Sequence, residues 1–268
     1  MRRLPWTIFG VAALMSTTGI VLLAYVPAAV LERAGNSLAL SAVFAAILLV
    51  FGLVGAVVAS RLPSNPIGWL FLAVALNDGI YQLAHSYARY TLGADPGALP
   101  NVEWAAWLAE WTGALAPPFL VAALLLFPDG RPLSPRWRWA VWLCAPVGVL
   151  VLMHYGLAPG PLEEFPSLSN PLGIAAAPWL GEIETETLYA PLFVAGAAAL
   201  VVRLRRSHGV ERQQVKWFAY AAGLMAAMLT LGSVLISAFE ADEDSIASGV
   251  VRDTMQPAHV SLWLRSPQ

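Results

Sequence analysis

"IGWLFLAVALNDGIYQLAHSYARY" (residues 67–90) decides how the chain is read, because it is long and apolar yet carries Asp78, Gln82, His85 and Arg89. A bilayer core of about 30 Å takes roughly 20 mostly apolar residues of helix. Only a backbone that closes its hydrogen bonds internally can cross that core. The stretch is long enough to do so, and its surroundings repeat the pattern.

Outward from it, apolar segments of similar length fall at residues 6–30, 38–60, 104–127, 137–157 and 217–239. A shorter one, 188–202, reaches full length only when extended to 187–204. Seven spans are therefore expected, and the connection at 159–187 is a long loop. The chain is 58% hydrophobic and 12% charged, with a mean hydropathy of +0.65, whereas soluble domains carry about 25% charged residues. The expected fold class is all-α, a polytopic transmembrane helical bundle over residues 1–239. An acidic and then amphipathic tail follows at 240–268. The first apolar segment exceeds the ~7–15 residues of a signal-peptide core and is soon followed by a second, so an uncleaved anchor is expected. The single cysteine, Cys144, excludes an intramolecular disulfide.

Orientation follows the excess of Lys and Arg in short cytoplasmic loops. With the N-terminus cytoplasmic, the inner side holds Arg2, Arg3, Arg61, Arg131, Arg136, Arg138, Arg203, Arg205, Arg206, Arg212 and Lys216. Before the tail, the outer side holds only Arg33 and Arg89. The loop 159–187 has no basic residue but carries Glu163, Glu164, Glu182, Glu184 and Glu186, which suits an outer face. Trp6, Trp69, Trp137, Trp139 and Trp217 fall at inner ends, where an indole suits the headgroup level. Trp104, Trp107 and Trp111 share one helical face near an outer end. They are either an interfacial anchor stripe or the aromatic wall of a ligand site.

Prolines mark the turns. "RLPSNPIGW" (61–69) and "FPDGRPLSPRWR" (127–138) read as inner turns, since proline lacks an N–H and pushes the residue before it out of the helix. Pro117 and Pro118 fall inside the fourth span, where a kink or break is expected.

An ionisable group at the centre of a span costs roughly 2.5–3.5 kcal/mol on insertion scales and is a candidate functional group. Asp78, Gln82, His85 and Arg89 are spaced by four, three and four, which places them on one stripe. Glu110, about two turns into the fourth span, is the expected partner of Arg89 or His85. The stripe reads either as a proton relay, protonation sensor or polar-ligand site, or as a hydrogen-bonded packing seam with Arg89 reaching the interface. His154 is a second intramembrane histidine, and no spacing pairs it with His85 around haem.

"RLRRSHGVERQQVKWFAY" (203–220) holds Arg203, Arg205, Arg206, Arg212 and Lys216 and reads as a cytoplasmic anchor and partner loop. His208 in it lacks the long helical hairpin that presents a phospho-acceptor. No phosphate loop, dinucleotide fingerprint, HExxH, CxxC or Gly-x-Ser-x-Gly occurs. No catalytic residue, metal site or cofactor is expected. A nucleic-acid role is not suggested either, because the basic residues sit where orientation already places them.

Four stretches, "ASRLPSNPIGWLFLAVAL" (59–76), "YARYTLGADPGALPNVEWAAWLAEW" (87–111), "LLLFPDGRPLSPRWR" (124–138) and "GVERQQVKWFAYAAGL" (209–224), carry a resemblance. The chain resembles a group of bacterial multi-pass proteins that includes the N-terminal membrane regions of certain sensor histidine kinases and their stand-alone relatives. The resemblance implies a membrane input module, without kinase activity, whose inner loops couple to signalling machinery. The end "VVRDTMQPAHVSLWLRSPQ" (250–268) is similar to the C-terminal element of longer stand-alone relatives, here shortened before that element. The expected function is thus a non-catalytic sensory or signalling-accessory protein of the cell membrane. Its expected partners are the lipid bilayer and a signalling kinase or other membrane protein. A small-solute or proton transporter using the third-span stripe, or a remnant without independent activity, are the alternatives.

Overall fold

The computed structural model describes residues 3–209, together with Gln213 and Lys216. Among the described residues, seven α-helices run in the order α1 (Leu4–Ala24), α2 (Ala28–Arg33), α3 (Leu38–Arg61), α4 (Pro66–Gly93), α5 (Val102–Leu126), α6 (Arg138–Leu157) and α7 (Thr185–Arg206). Single 3-10 turns at Pro135–Trp137 and Pro178–Glu182 lead into α6 and α7. Among the described residues there is no strand, only one isolated bridge between Pro161 and Ser169. The fold is all-α, and six of these helices are long and apolar enough to cross a membrane. The expected seventh span, 217–239, and the tail, 240–268, lie outside the described residues, beyond a unit that ends at Lys216.

Helix ends follow local chemistry. The Asn65 side chain caps α4 by accepting from the Ile67 N–H at 3.0 Å, and Pro66 occupies the first turn, where no N–H is needed. The first span is shorter than its hydropathy suggests. It ends at Ala24, and Pro27 starts a separate short helix, α2. Proline holds Val26 out of helical geometry, so apolar length alone overran the boundary.

Of the kink or break expected at Pro117 and Pro118, the break does not occur, because α5 is continuous through both. Each proline leaves the carbonyl four residues earlier without its helical donor. For Pro118 that carbonyl is Ala114, and the Tyr189 hydroxyl of α7 donates to it at 2.5 Å. A neighbouring helix thus supplies the donor that proline removed.

At the centre stands α4, packed against α1, α3 and α5, while α5 also holds α6 and α7. The order agrees with composition. In their most apolar windows, α4 has a mean hydropathy of 1.3 and is 56% buried, against 2.8 and 28% for α3. The least apolar helix is the one most enclosed by protein. Close approach depends on small residues, as in membrane helix pairs generally. A Cβ on Gly19 of α1 would sit 2.5 Å from the Gln82 carbonyl oxygen, and one on Gly68 of α4 would sit 2.6 Å from the Ala59 nitrogen. On the outside, Leu14, Val50, Trp142 and Val194 are exposed, as suits hydrocarbon contact.

Contacts sort the helix termini into two ends. At the basic end, Asn65 donates to the Pro128 carbonyl, and Arg203 donates to the Leu125 and Arg131 carbonyls. At the acidic end, Leu31 packs near Tyr90 and Ala94, and the loop between α6 and α7 folds over α4 and α5.

Candidate functional site

The α6–α7 loop is seated on the bundle by an apolar plug. Leu162 and Phe165 are both 2% exposed and pack on Ala84 and Ala88 of α4 and on Ala106 and Ala109 of α5. Burying side chains of this size contributes roughly 1.5–3 kcal/mol each. The four alanines leave the shallow surface that receives them.

Between the two plug residues lie Glu163 and Glu164, which meet the polar residues of the helix bundle. Glu164 Oε1 is 3.0 Å from His85 Nε2 and 3.7 Å from an Arg89 Nη2, and the Tyr81 hydroxyl donates to it at 3.4 Å. Arg89 Nη2 also donates to the Glu164 carbonyl, and its guanidinium lies 4.5 Å from the centre of the Phe165 ring. From the other side, the Glu164 N–H donates to Glu110 Oε1 at 2.6 Å. The loop is therefore clasped by three side chains of α4 and one of α5.

Burial alone would raise the Glu164 pKa. The hydrogen bond and charge of His85, with the charge of Arg89 and the Tyr81 hydroxyl, outweigh it and hold this carboxyl below the usual carboxylate range. His85 Nε2 also lies 3.2 Å from Arg89 Nε, in position to accept its N–H. One nitrogen cannot donate to Glu164 and accept from Arg89 at once. The two contacts require opposite proton occupancy on Nε2 and are alternatives.

The stripe read from the sequence is present but divided. Asp78, Gln82 and His85 are buried, and Arg89 is partly buried at the acidic end. Gln82 donates to Ser86 rather than linking Asp78 to His85, and Asp78 Oδ2 is buried without a hydrogen-bond partner among the described residues. The expected pairing of Glu110 with Arg89 or His85 is corrected too. Glu110 holds the Glu164 backbone, and the carboxylate facing both α4 residues is Glu164. A loop residue separated by 75 positions from Arg89 leaves no periodic signal. The available hint was "EEF" (163–165), the first carboxylates of a loop without cations.

Beside this clasp an open cleft of about 190 Å³ is lined by Glu110, His154, Tyr155, Glu163 and Asn170. His154 Nδ1 lies 2.6 Å from the Leu180 carbonyl and Nε2 lies 3.1 Å from Glu163 Oε1. Both ring nitrogens face loop oxygens, which leaves neither for haem. Among the described residues no group of three His, Cys, Asp or Glu is placed to hold a metal ion.

The tryptophan face has a structural duty. Trp107 donates to the Gly156 carbonyl at 2.9 Å, in the last turn of α6. Ala158 and Ile174 N–H groups and the Asn170 amide serve the carbonyls of His154, Leu157 and Tyr155. All four terminal carbonyls of α6 are thereby matched, and the helix end cements the loop. Trp104 stays half exposed and stacks edge-on against Trp107.

At the basic end, the candidate anchor residues separate by burial. Arg205, Arg206, His208 and Lys216 are exposed. Arg203 is buried and donates to Leu125 and Arg131 carbonyls at 2.8 and 2.6 Å, which makes it a structural cap on α5 rather than a surface anchor. Arg212 lies outside the described residues.

No family model, curated protein or solved structure matches the chain.

Proposed function

We propose that the chain is a non-catalytic, multi-pass protein of the cell membrane that serves as a sensory or signalling-accessory module. The observation that carries this reading is the clasp of the acidic loop, in which Glu164 is held by His85 and Arg89 of the central helix. A loop at the membrane surface, fixed by a carboxylate on a histidine within the bundle, is a seat for a stimulus that alters charge or displaces the loop. Because α4 packs on α1, α3 and α5, a change at its acidic end has a direct path to the basic end. There the exposed arginines would meet anionic lipid or a signalling partner such as a kinase. The resemblance to membrane regions of sensor histidine kinases supports the same reading.

The test is hydrogen exchange on the full chain in nanodiscs, comparing the wild type with Glu164→Gln. Release of the loop 159–184 accompanied by altered exchange at the basic-end turn 127–138 is expected. Loop release with an unchanged basic end would sink the signalling role.

A second reading, transport of protons or a small solute, is favoured by one observation, the buried Asp78 Oδ2, which has no hydrogen-bond partner among the described residues. Proteoliposome flux that is abolished by Asp78→Asn would establish it. Flux indifferent to that change would remove it.

A further inference from the structure

A second cleft, of about 210 Å³, opens at the basic end between the last turn of α7 and the α5–α6 loop. Asp129, Arg131, Arg203, Arg206 and Ser207 line it. Arg131 and Arg206 are exposed. Arg203 is anchored through the Arg131 carbonyl, so the loop and α7 are tied together where the cleft lies. Ser207 is buried, and its Oγ has no hydrogen-bond partner among the described residues. A buried hydroxyl without a partner is disfavoured, so an acceptor that reaches it is favoured.

We propose that this cleft binds a phosphate group through the Arg131 and Arg206 guanidiniums and the Ser207 hydroxyl. Guanidinium forks match phosphate oxygens in pairs, and a tetrahedral phosphate has enough oxygens left for a hydroxyl donor. Three arginines against the single Asp129 carboxylate give the cleft a positive field. Its volume is below the roughly 300–1,000 Å³ of sites for drug-sized ligands, which selects a compact group. The phosphate comes either from an anionic lipid headgroup, since polybasic segments at a membrane surface attract such lipids, or from a soluble phosphate compound. The site is separate from the Glu164 clasp and does not depend on it.

The experiment uses the full chain in phosphatidylcholine nanodiscs, titrated at fixed salt with inorganic phosphate and with dihexanoyl phosphatidic acid. Saturable binding of at least one probe is expected. Arg131→Gln with Arg206→Gln should weaken it about tenfold or more, Ser207→Ala by a smaller factor, and Asp129→Asn should tighten it. Arg136→Gln, outside the cleft, serves as the control and should bind as the wild type does. Binding of both probes identifies the phosphate itself as sufficient, while binding of the lipid alone identifies the headgroup as the source. No saturable binding of either probe, or equal binding by the double variant, overturns the proposal. Asp129→Asn keeps the test decisive if the double variant folds poorly, because unchanged affinity there also overturns it.

Discussion

The Tyr189 hydroxyl lies 2.5 Å from the carbonyl oxygen of Ala114, the acceptor that Pro118 strips of its helical donor. Proline and tyrosine therefore act as a pair across α5 and α7. Tyr189→Phe leaves a half-buried carbonyl unserved and should lower stability by roughly 1–3 kcal/mol. In a Pro118→Ala background, residue 118 again has an N–H to offer Ala114, and the cost of Tyr189→Phe should shrink. A double-mutant cycle on thermal midpoints checks the coupling. Equal costs in both backgrounds would show that the hydroxyl serves something else.

Arg203 and its neighbours in the last turn of α7 should behave oppositely. Arg203→Gln removes charged donors from the Leu125 and Arg131 carbonyls, and hydrogen bonds of that kind contribute roughly 1.5–3 kcal/mol. Arg205→Gln and Arg206→Gln alter exposed side chains and should stay within about 0.5 kcal/mol. Denaturation of the three variants in one detergent separates them.

Gly19 is a third point of sensitivity. A Cβ there meets the Gln82 carbonyl oxygen at 2.5 Å and the Leu83 nitrogen at 2.9 Å, both backbone atoms that cannot move aside alone. Gly19→Ala should cost roughly 1–3 kcal/mol, as overpacking does. Gly10, whose added Cβ meets nothing within 4 Å, should accept alanine at little cost.

Six of the expected spans were legible in the sequence because each is a sustained apolar run. Among the described residues, five of the six helices long enough to cross a membrane begin and end within a few residues of the apolar runs. The boundary misjudged by several residues is at α1, where Pro27 and not hydropathy ends the helix. The polar stripe was legible for a related reason, since each member is an exception within an apolar run. Its completion by Glu164 was not. Contacts from loop to helix depend on how a chain without regular periodicity folds back, and "EEF" sits among residues that any surface loop could carry. Arg203 misled for the opposite reason. Its composition matched an orientation signal, while its position one turn before the end of α7 turned it inward onto the end of α5.

The pH response of the loop follows from the Glu164 carboxyl. Its pKa is lowered in the folded protein, because the hydrogen bond and charge of His85, together with Arg89, outweigh the burial that would raise it. A depressed carboxylate contributes stability that is fully present above its unfolded pKa, about 4.3, and is lost as pH falls through the folded value. The loop should therefore stay clasped at neutral pH and open only under acid below the usual carboxylate range. Glu164→Gln should remove most of that acid dependence and also weaken the clasp at neutral pH, since a neutral amide pairs less strongly with Arg89. Limited proteolysis within 159–184 across a pH series reads both effects. Acid opening that persists unchanged in Glu164→Gln would assign the transition to another group, with Glu163, held on His154 at 3.1 Å, the next carboxylate to substitute.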